Sequence, residues 1–286
     1  MNWQIYAIIG TIALSLAYLI EKKSLIKEHA LQFVTIHAIF SVILSIFFFP
    51  QVNIKIAPYL FLIIYISSLG WTFAGWYLAK AIRHMQLSST TPLLNVTPGI
   101  VAILAFIFLR DVLSIKQMFG MGLLIVGTYV LETHSKKSLL LPFKAMFKSK
   151  YTGYVIMSIL IASITAILDK YILNYMNAFT FIFIIQIFML LNLLFIMHKH
   201  YGGLVSIKHG LKKAGVWIFM LSLLIVFKRL LFAHAISLTN VSLVIAIAHT
   251  SSLFTVIVGG ELFHEKNLTK KVIATIIMVI GVFLIV

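Results

Sequence analysis

The 286-residue chain is 62% hydrophobic and 10% charged, carries a formal net charge of +16 and contains no cysteine. This composition lies far from that of soluble domains, and the missing thiols exclude disulfides, Cys-ligated zinc, iron–sulfur clusters and thiol catalysis. In a soluble protein so basic a balance would point to nucleic acid; here the lysines gather in short loops between apolar segments, so the expected partner is a lipid bilayer and no nucleic acid.

Ten apolar segments are predicted to cross that bilayer, over residues 3–20, 30–49, 57–82, 88–109, 115–132, 151–169, 177–198, 214–236, 241–263 and 270–286. Most reach or approach the roughly 20 residues a spanning helix requires. The chain therefore reads as an all-α integral membrane protein with ten transmembrane helices. The first segment lacks a basic n-region and a small-residue cleavage site, so it is expected to be a span and not a removed leader. Seventeen Lys and Arg residues, from Lys22 to Lys271, fall in the odd-numbered loops, against four in the even loops (Lys55, Arg110, Lys116 and Lys170). Basic loops stay cytoplasmic, which predicts cytoplasmic odd loops and external termini.

The first span offers only Gly10, Thr11 and Ser15 at mid-depth. A cationic-drug/proton antiporter of the small multidrug kind needs a carboxylate there, so polycation export is disfavoured. Glu21 ends this span and is followed by Lys22; a local ion pair at the membrane surface is favoured over a gate that re-pairs between access states. His37 on the second span is expected to join helices. The third carries Trp71, Trp76 and Tyr77, either packing aromatics or a substrate platform, and Lys80 near its end, read as an interface anchor ahead of a gate. Pro92 and Pro98 disturb the fourth span, where Asn95 shares a helix face with Thr91 and Gly99. Carbonyls freed by proline can line a cavity, so Asn95 is a candidate ligand to substrate; interhelical hydrogen bonding is the alternative. Asp111-Val112-Leu113-Ser114 leads into a fifth span with Gly120, Gly122 and Gly127.

A basic stretch, 135–150, then separates two similar units and is read as a solvated linker ahead of a surface-lying segment. The sixth span ends on Asp169-Lys170, again a local pair or a gate. Gln186 and Asn192 on the seventh are expected to join helices. The eighth holds the sharpest signal: Lys228 and Arg229 sit side by side with no other charge between Trp217 and His234. At 1.5 Å per residue Lys228 lies roughly 16 Å past Trp217, about halfway across a core of roughly 30 Å. Each such charge costs about 2.5–3.5 kcal/mol at a helix centre and rarely faces lipid; snorkelling from mid-span is poor. The pair points to a cavity and an anionic group within it, because Arg grips a carboxylate or phosphate with two hydrogen bonds while Lys adds a point charge. A structural or gating role is the alternative. His234 is read like Lys80, as an anchor or gate. On the ninth span His249, beside Thr250, is a candidate ligand that could also titrate near neutrality.

The units repeat. SLAYLIEKKSLI (15–26) resembles SITAILDKYILN (163–174), YLAKAI (77–82) matches LFAHAI (231–236), and Asn95, Asp111 and Gly127 face His249, Glu265 and Gly281. Five spans per unit is an odd number, so residues 1–134 and 151–286 are expected to be two inverted repeats around a midplane site, as in secondary transporters.

Two five-helix halves, TPGIVA (97–102), Asp111 through Ser114 before the glycine-spaced helix, and Glu265-Lys266-Asn267-Leu268-Thr269 before the Gly281 helix resemble the EamA-type transporters of the drug/metabolite transporter superfamily. The chain departs where Ser252 stands opposite Pro98 and where Glu265 lies one residue further from its Leu-Thr. Members of that family are commonly drawn with cytoplasmic termini, whereas the lysine distribution argues for external ones. The resemblance implies a central cavity lined by the first, third, fourth, sixth, eighth and ninth spans, in a prokaryotic cell (inner) membrane.

The expected function is secondary active transport of small organic metabolites by alternating access. An anionic or zwitterionic substrate (phosphorylated, carboxylated or amino-acid-like) is favoured, with protons or a counter-substrate as coupling partner and a monomer or homodimer as the working unit. Export of neutral amino acids or amphipathic compounds, with Lys228 and Arg229 as a gate, is one alternative; a non-transporting membrane scaffold is another. No hydrolase, metal or phosphate-loop motif occurs, so neither enzyme activity nor a cofactor is expected.

Overall fold

The computed structural model describes residues 2–25, 29–84, 93–94, 96–132, 150–200, 204–251 and 268–285. These form helices α1 (Trp3–Leu25), α2 (Ala30–Ser45), α3 (Pro58–His84), α4 (Thr97–Leu109), α5 (Ile115–Glu132), α6 (Lys150–Leu173), α7 (Ala178–His200), α8 (Leu204–Leu238), α9 (Val241–His249) and α10 (Leu268–Ile285). No strand occurs among the described residues. Six helices contain stretches long and apolar enough to cross a membrane: Trp3–Glu21, Ala30–Gln51, Pro58–His84, Tyr151–Leu173, Ala178–Lys199 and Ala214–Leu238. Three further apolar helices are shorter, Thr97–Leu109, Ile115–Gly127 and Ile276–Ile285. Large side chains such as Phe106, Phe119, Phe195 and Phe283 stand exposed on the outside, a surface suited to hydrocarbon and not to water.

Local sequence explains the breaks. The second predicted span ends its α-helix at Ser45 and tightens into a 3-10 turn over Ile46–Gln51, because Pro50 donates no amide hydrogen and its ring crowds the preceding turn. α4 starts with proline in its first turn (Pro98), where the missing N–H is no loss. It ends on Arg110 in the left-handed region at φ 56, with the Asp111 amide donating back to the Ala105 carbonyl at 3.2 Å. Ser114 and Gln117 then form a reciprocal capping box for α5: the Gln117 amide donates to Ser114 Oγ (3.3 Å) and the Ser114 amide to Gln117 Oε1 (3.0 Å). The Asp-Val-Leu-Ser stretch is thus a helix stop followed by a helix start.

α8 begins ten residues before the span read from sequence, and Lys208 and Lys212 on this extension are exposed. Asn177 caps α7 through the Thr180 amide (2.8 Å) and also donates to the Gln51 carbonyl (3.2 Å), tying α7 to the turn after α2.

Packing between the helices follows a paired pattern. α1 lies along α8 and α6 along α3; α2 also packs on α8, and α7 on α3. α4 meets α6 while α9 meets α1, and α2 with α7, α4 with α9, and α5 with α10 pair directly. Polar contacts repeat the rule: His37 on α2 bonds Ser222 on α8 at 2.8 Å, and Asn192 on α7 bonds Ser68 on α3 at 3.0 Å. Glycine permits the closest approach, between α5 and α10. A Cβ on Gly120 would stand 2.7 Å from the Gly281 carbonyl oxygen, and one on Gly281 would stand 2.9 Å from that of Gly120.

Candidate functional site

A cavity of about 290 Å³ lies inside this bundle. α8 contributes Lys228, Arg229 and Phe232, and α9 contributes Ala248 and His249. Glu21 comes from α1, Trp71, Thr72 and Trp76 from α3, and Thr97 from α4. α6 adds Ser158 and Ala162. The six spans expected to line it all do so, and two more join them: His37 comes from α2, and Gln186 and Met189 from α7. Helices α5 and α10 supply none of the described lining residues and pack on each other instead.

Lys228 and Arg229 lie nine or ten residues from the end of α8 at Leu238, roughly 15 Å along the axis. Both are partly exposed, and the surface they expose borders the cavity. The Arg229 guanidinium donates to Met189 Sδ (3.1 Å) and, at a long 3.4 Å, to Gln186 Oε1, and it lies 5.8 Å from the centre of the Trp71 ring. Lys228 Nζ lies 5.0 Å from the centre of the Phe232 ring. Ala74 and Gly75, the residues that the repeat sets opposite this pair, also border the cavity. The positive charge is therefore one-sided.

The acids occupy different places from those expected of surface pairs. Asp169 is buried one turn inside the end of α6: Ser67 Oγ donates to its Oδ1, and the Trp71 indole N–H donates to its Oδ2 at 2.7 Å. Lys170 turns away and caps α8 through the carbonyls of Ile236 (2.7 Å) and Thr239 (3.0 Å). The expected Asp169–Lys170 pair does not form, because consecutive helical residues point about 100° apart and do not face each other. Asp169 instead holds Trp71, a cavity-wall residue whose ring also neighbours the Arg229 guanidinium. Glu21 reaches the cavity itself, and its charge interacts with that of Lys228. Mid-span cations thus have acids nearby after all, brought there by helices distant in sequence. Outside the spans, burial pushes the Asp111 carboxyl up while nearby Lys170 pulls it down.

The remaining candidates separate. Trp71 and His249 border the cavity, whereas Tyr77 lies outside its lining, stacked on Tyr154 (5.6 Å between ring centres, planes 10° apart). Its neighbour Trp76 takes the wall position. Lys80 sits 3.9 Å from the centre of the Trp76 ring, also outside the lining. His234 bonds the Leu230 carbonyl at 3.0 Å and contacts the rings of Tyr6 and Phe179. Asn95 and the 135–149 part of the linker lie outside the described residues. Thr11 and Ser15 bond carbonyls of their own helix and those of Ile247 in α9 and of Ser251 just beyond it, and Gly10 is pressed against Phe232, so the mid-depth of α1 serves packing.

Sequence reasoning placed His37 and Gln186 on peripheral helices and missed them as cavity residues. The signal available was their position: aligned through Ala30 and Ala178, they stand at neighbouring places on the second helix of each unit, in otherwise apolar runs. Gln186 is buried and its amide nitrogen has no partner among the described residues. His37, Gln186 and Asn192 all join helices as read, through Ser222, Arg229 and Ser68.

The sequence profile of the EamA-like transporter family matches residues 1–133 and 150–286. No curated protein matches the sequence. A solved structure titled only "Crystal structure of protein" superposes with a TM-score of 0.69 at 10% identity, covering 99% of this chain and 96% of that one. At that identity the likeness is one of fold.

Proposed function

The chain belongs to the EamA-like transporter family and is a multi-pass membrane protein handling small molecules; from that premise we propose that it is a secondary active transporter of small organic metabolites carrying an anionic group. The observation that carries the reading is the position of Lys228 and Arg229, two cations on the wall of an internal cavity of about 290 Å³. Charges at this depth require a polar, protein-enclosed environment, and a carboxylate or phosphate supplies the matching ligand. The two matched stretches of the family profile, with the paired packing of α1 on α8 and α6 on α3, support a pair of repeats rocking about a midplane site. Asn95, His249 and Trp71 complete the proposed substrate contacts, with Tyr77 in an outer position. Glu21, Asp169, Lys80 and His234 are the proposed gating or ion-pair groups. Odd loops are proposed to face the cytoplasm of a prokaryotic cell.

Arg229 already holds Gln186 and Met189, which favours the second reading, a gate that shuttles between α7 and other partners while a neutral or amphipathic substrate passes. Reconstituted protein separates the two. Saturable uptake of anionic metabolites into liposomes, lost in Lys228→Ala and Arg229→Ala, is the expected result. Stabilisation and flux of neutral compounds that persist in both variants would refute the anion reading in favour of the gate.

A further inference from the structure

We infer that the basic end of α3 holds the phosphate of an anionic phospholipid, gripped by Lys80, Arg83 and His84 from α3 and by His29 from the start of α2. None of these four lines the central cavity. α3 is 27 residues long, about 40 Å of helix against a hydrocarbon core of about 30 Å. The excess puts its last turn in the headgroup layer, where Arg83 and His84 are exposed. Rings mark the same depth. Tyr77 stacks on Tyr154 with 5.6 Å between ring centres, and His84 on Tyr151 at 4.5 Å, a belt of the kind found at membrane–water boundaries. Lys80 Nζ lies 3.9 Å from the centre of the Trp76 ring and 5.4 Å from that of Tyr154, so rings of α3 and α6 fix its ammonium beside the cluster.

A cation in the last turn of a helix answers the negative end of its dipole, which accounts for Arg83 or His84 alone. It does not account for His29. That residue is the N-cap of α2 and makes no capping hydrogen bond, at the dipole's positive end, where a further cation is disfavoured. Burial, and then the charges of Arg83, Lys80 and His84, hold its imidazole below the usual histidine range. The field that keeps a proton off His29 favours an anion beside it, and the neutral ring still offers one N–H. Among the described residues, which do not include Glu28, no carboxylate forms an ion pair with Lys80 or Arg83. Basic pockets between spans recruit lipid headgroups, and Arg grips phosphate oxygens with two parallel hydrogen bonds. The neighbouring surface fits a lipid in place of a free phosphate ester. Beside Tyr154 on α6, Gly153, Met157, Leu160 and Ile164 form an exposed stripe at helical spacing, and a Cβ on Gly153 would meet nothing within 4 Å. That stripe is an open apolar track for an acyl chain leading away from the cations.

The test titrates phosphatidylglycerol or phosphatidylcholine into neutral-detergent micelles holding the purified full-length protein. Apparent affinities come from the rise in melting temperature with lipid. Phosphatidylglycerol should bind about tenfold more tightly or better, since each basic group near an anionic surface adds about fivefold. Arg83→Gln should weaken phosphatidylglycerol about fivefold, and Lys80→Met with Arg83→Gln about twentyfold, with phosphatidylcholine unchanged. Arg83 is exposed, so its single variant decides the matter if loss of Lys80 unfolds the protein. Lys208→Gln with Lys212→Gln removes two exposed lysines of the α8 extension and should change binding by less than about twofold. Equal binding of the two lipids, or no loss in Arg83→Gln, would overturn the inference. An equal loss in the α8 variant would overturn it too, by showing a diffuse field over the basic face. Glycerol 3-phosphate, which has no acyl chain, stabilising the protein at the affinity of the lipid would overturn the lipid as ligand.

Discussion

Replacing Asp169 tests whether the cavity wall is held by a buried charge. The side chain is 6% exposed and receives two hydrogen bonds, from Ser67 and from the Trp71 indole, whose ring centre lies 5.8 Å from the Arg229 guanidinium. Asp169→Leu keeps the branched four-atom skeleton in a bulkier, apolar form, strands the Ser67 hydroxyl and the Trp71 N–H and removes the countercharge of Arg229. An unsatisfied buried donor costs about 1–3 kcal/mol, and breaking a buried charge pair about 3–5 kcal/mol; because the groups share one network these figures overlap, and about 4 kcal/mol is expected in total. For a chain of this size that corresponds to a fall in melting temperature on the order of 10 °C. Asp169→Asn retains one oxygen for the indole and turns an amide toward the Ser67 oxygen, which can accept as well as donate. It still removes the countercharge of Arg229, so it should be less damaging than Leu by about 1–2 kcal/mol, the part due to the stranded hydrogen-bonding groups. Thermal unfolding in detergent, read by tryptophan fluorescence, measures both. A Leu variant within about 2 °C of wild type, or an Asn variant as damaged as Leu, would refute the network.

Two further substitutions probe the scaffold. Gly120→Ala should push α5 from α10 and cost about 1–3 kcal/mol, since its Cβ would meet the Gly281 carbonyl oxygen at 2.7 Å. Gly122→Ala, with nothing within 4 Å of the added carbon, should be neutral or stabilise by up to about 1 kcal/mol; thermal unfolding of the two side by side is the check. Ser114→Ala removes the Oγ acceptor of the α5 capping box and should cost about 1 kcal/mol, read as faster hydrogen exchange of the first-turn amides.

Hydropathy located the six long spans to within a few residues, with an exception at one end. α8 runs on through a lysine-bearing extension because Ala, Leu and Lys continue a helix outside the bilayer as readily as inside it. The glycines of α5 and α10 were legible only as repeat-matched positions, and the packing uses a different register: Gly281 meets Gly120, while Gly127 packs on Met278. Lys228 and Arg229 were legible as cavity residues because charge is costly in lipid. Asp169 was read as a surface pair because a lysine follows it, and chain neighbours look like partners until their helical directions are drawn.

The amino-acid sequence alone determined the membrane class, the span positions and the proline and glycine breaks, since these depend on the local transfer of side chains into hydrocarbon and on backbone sterics. Only the tertiary structure decided which faces meet at the cavity. A helix buried in lipid on one side and in protein on the other is apolar on both, so no periodicity distinguishes His37, Gln186 or Trp76 as lining residues. Nor could spacing along the chain bring Asp169 to Ser67 and Trp71, or Glu21 opposite Lys228. Those meetings follow from packing α6 on α3 and α1 on α8, a choice made by the whole bundle.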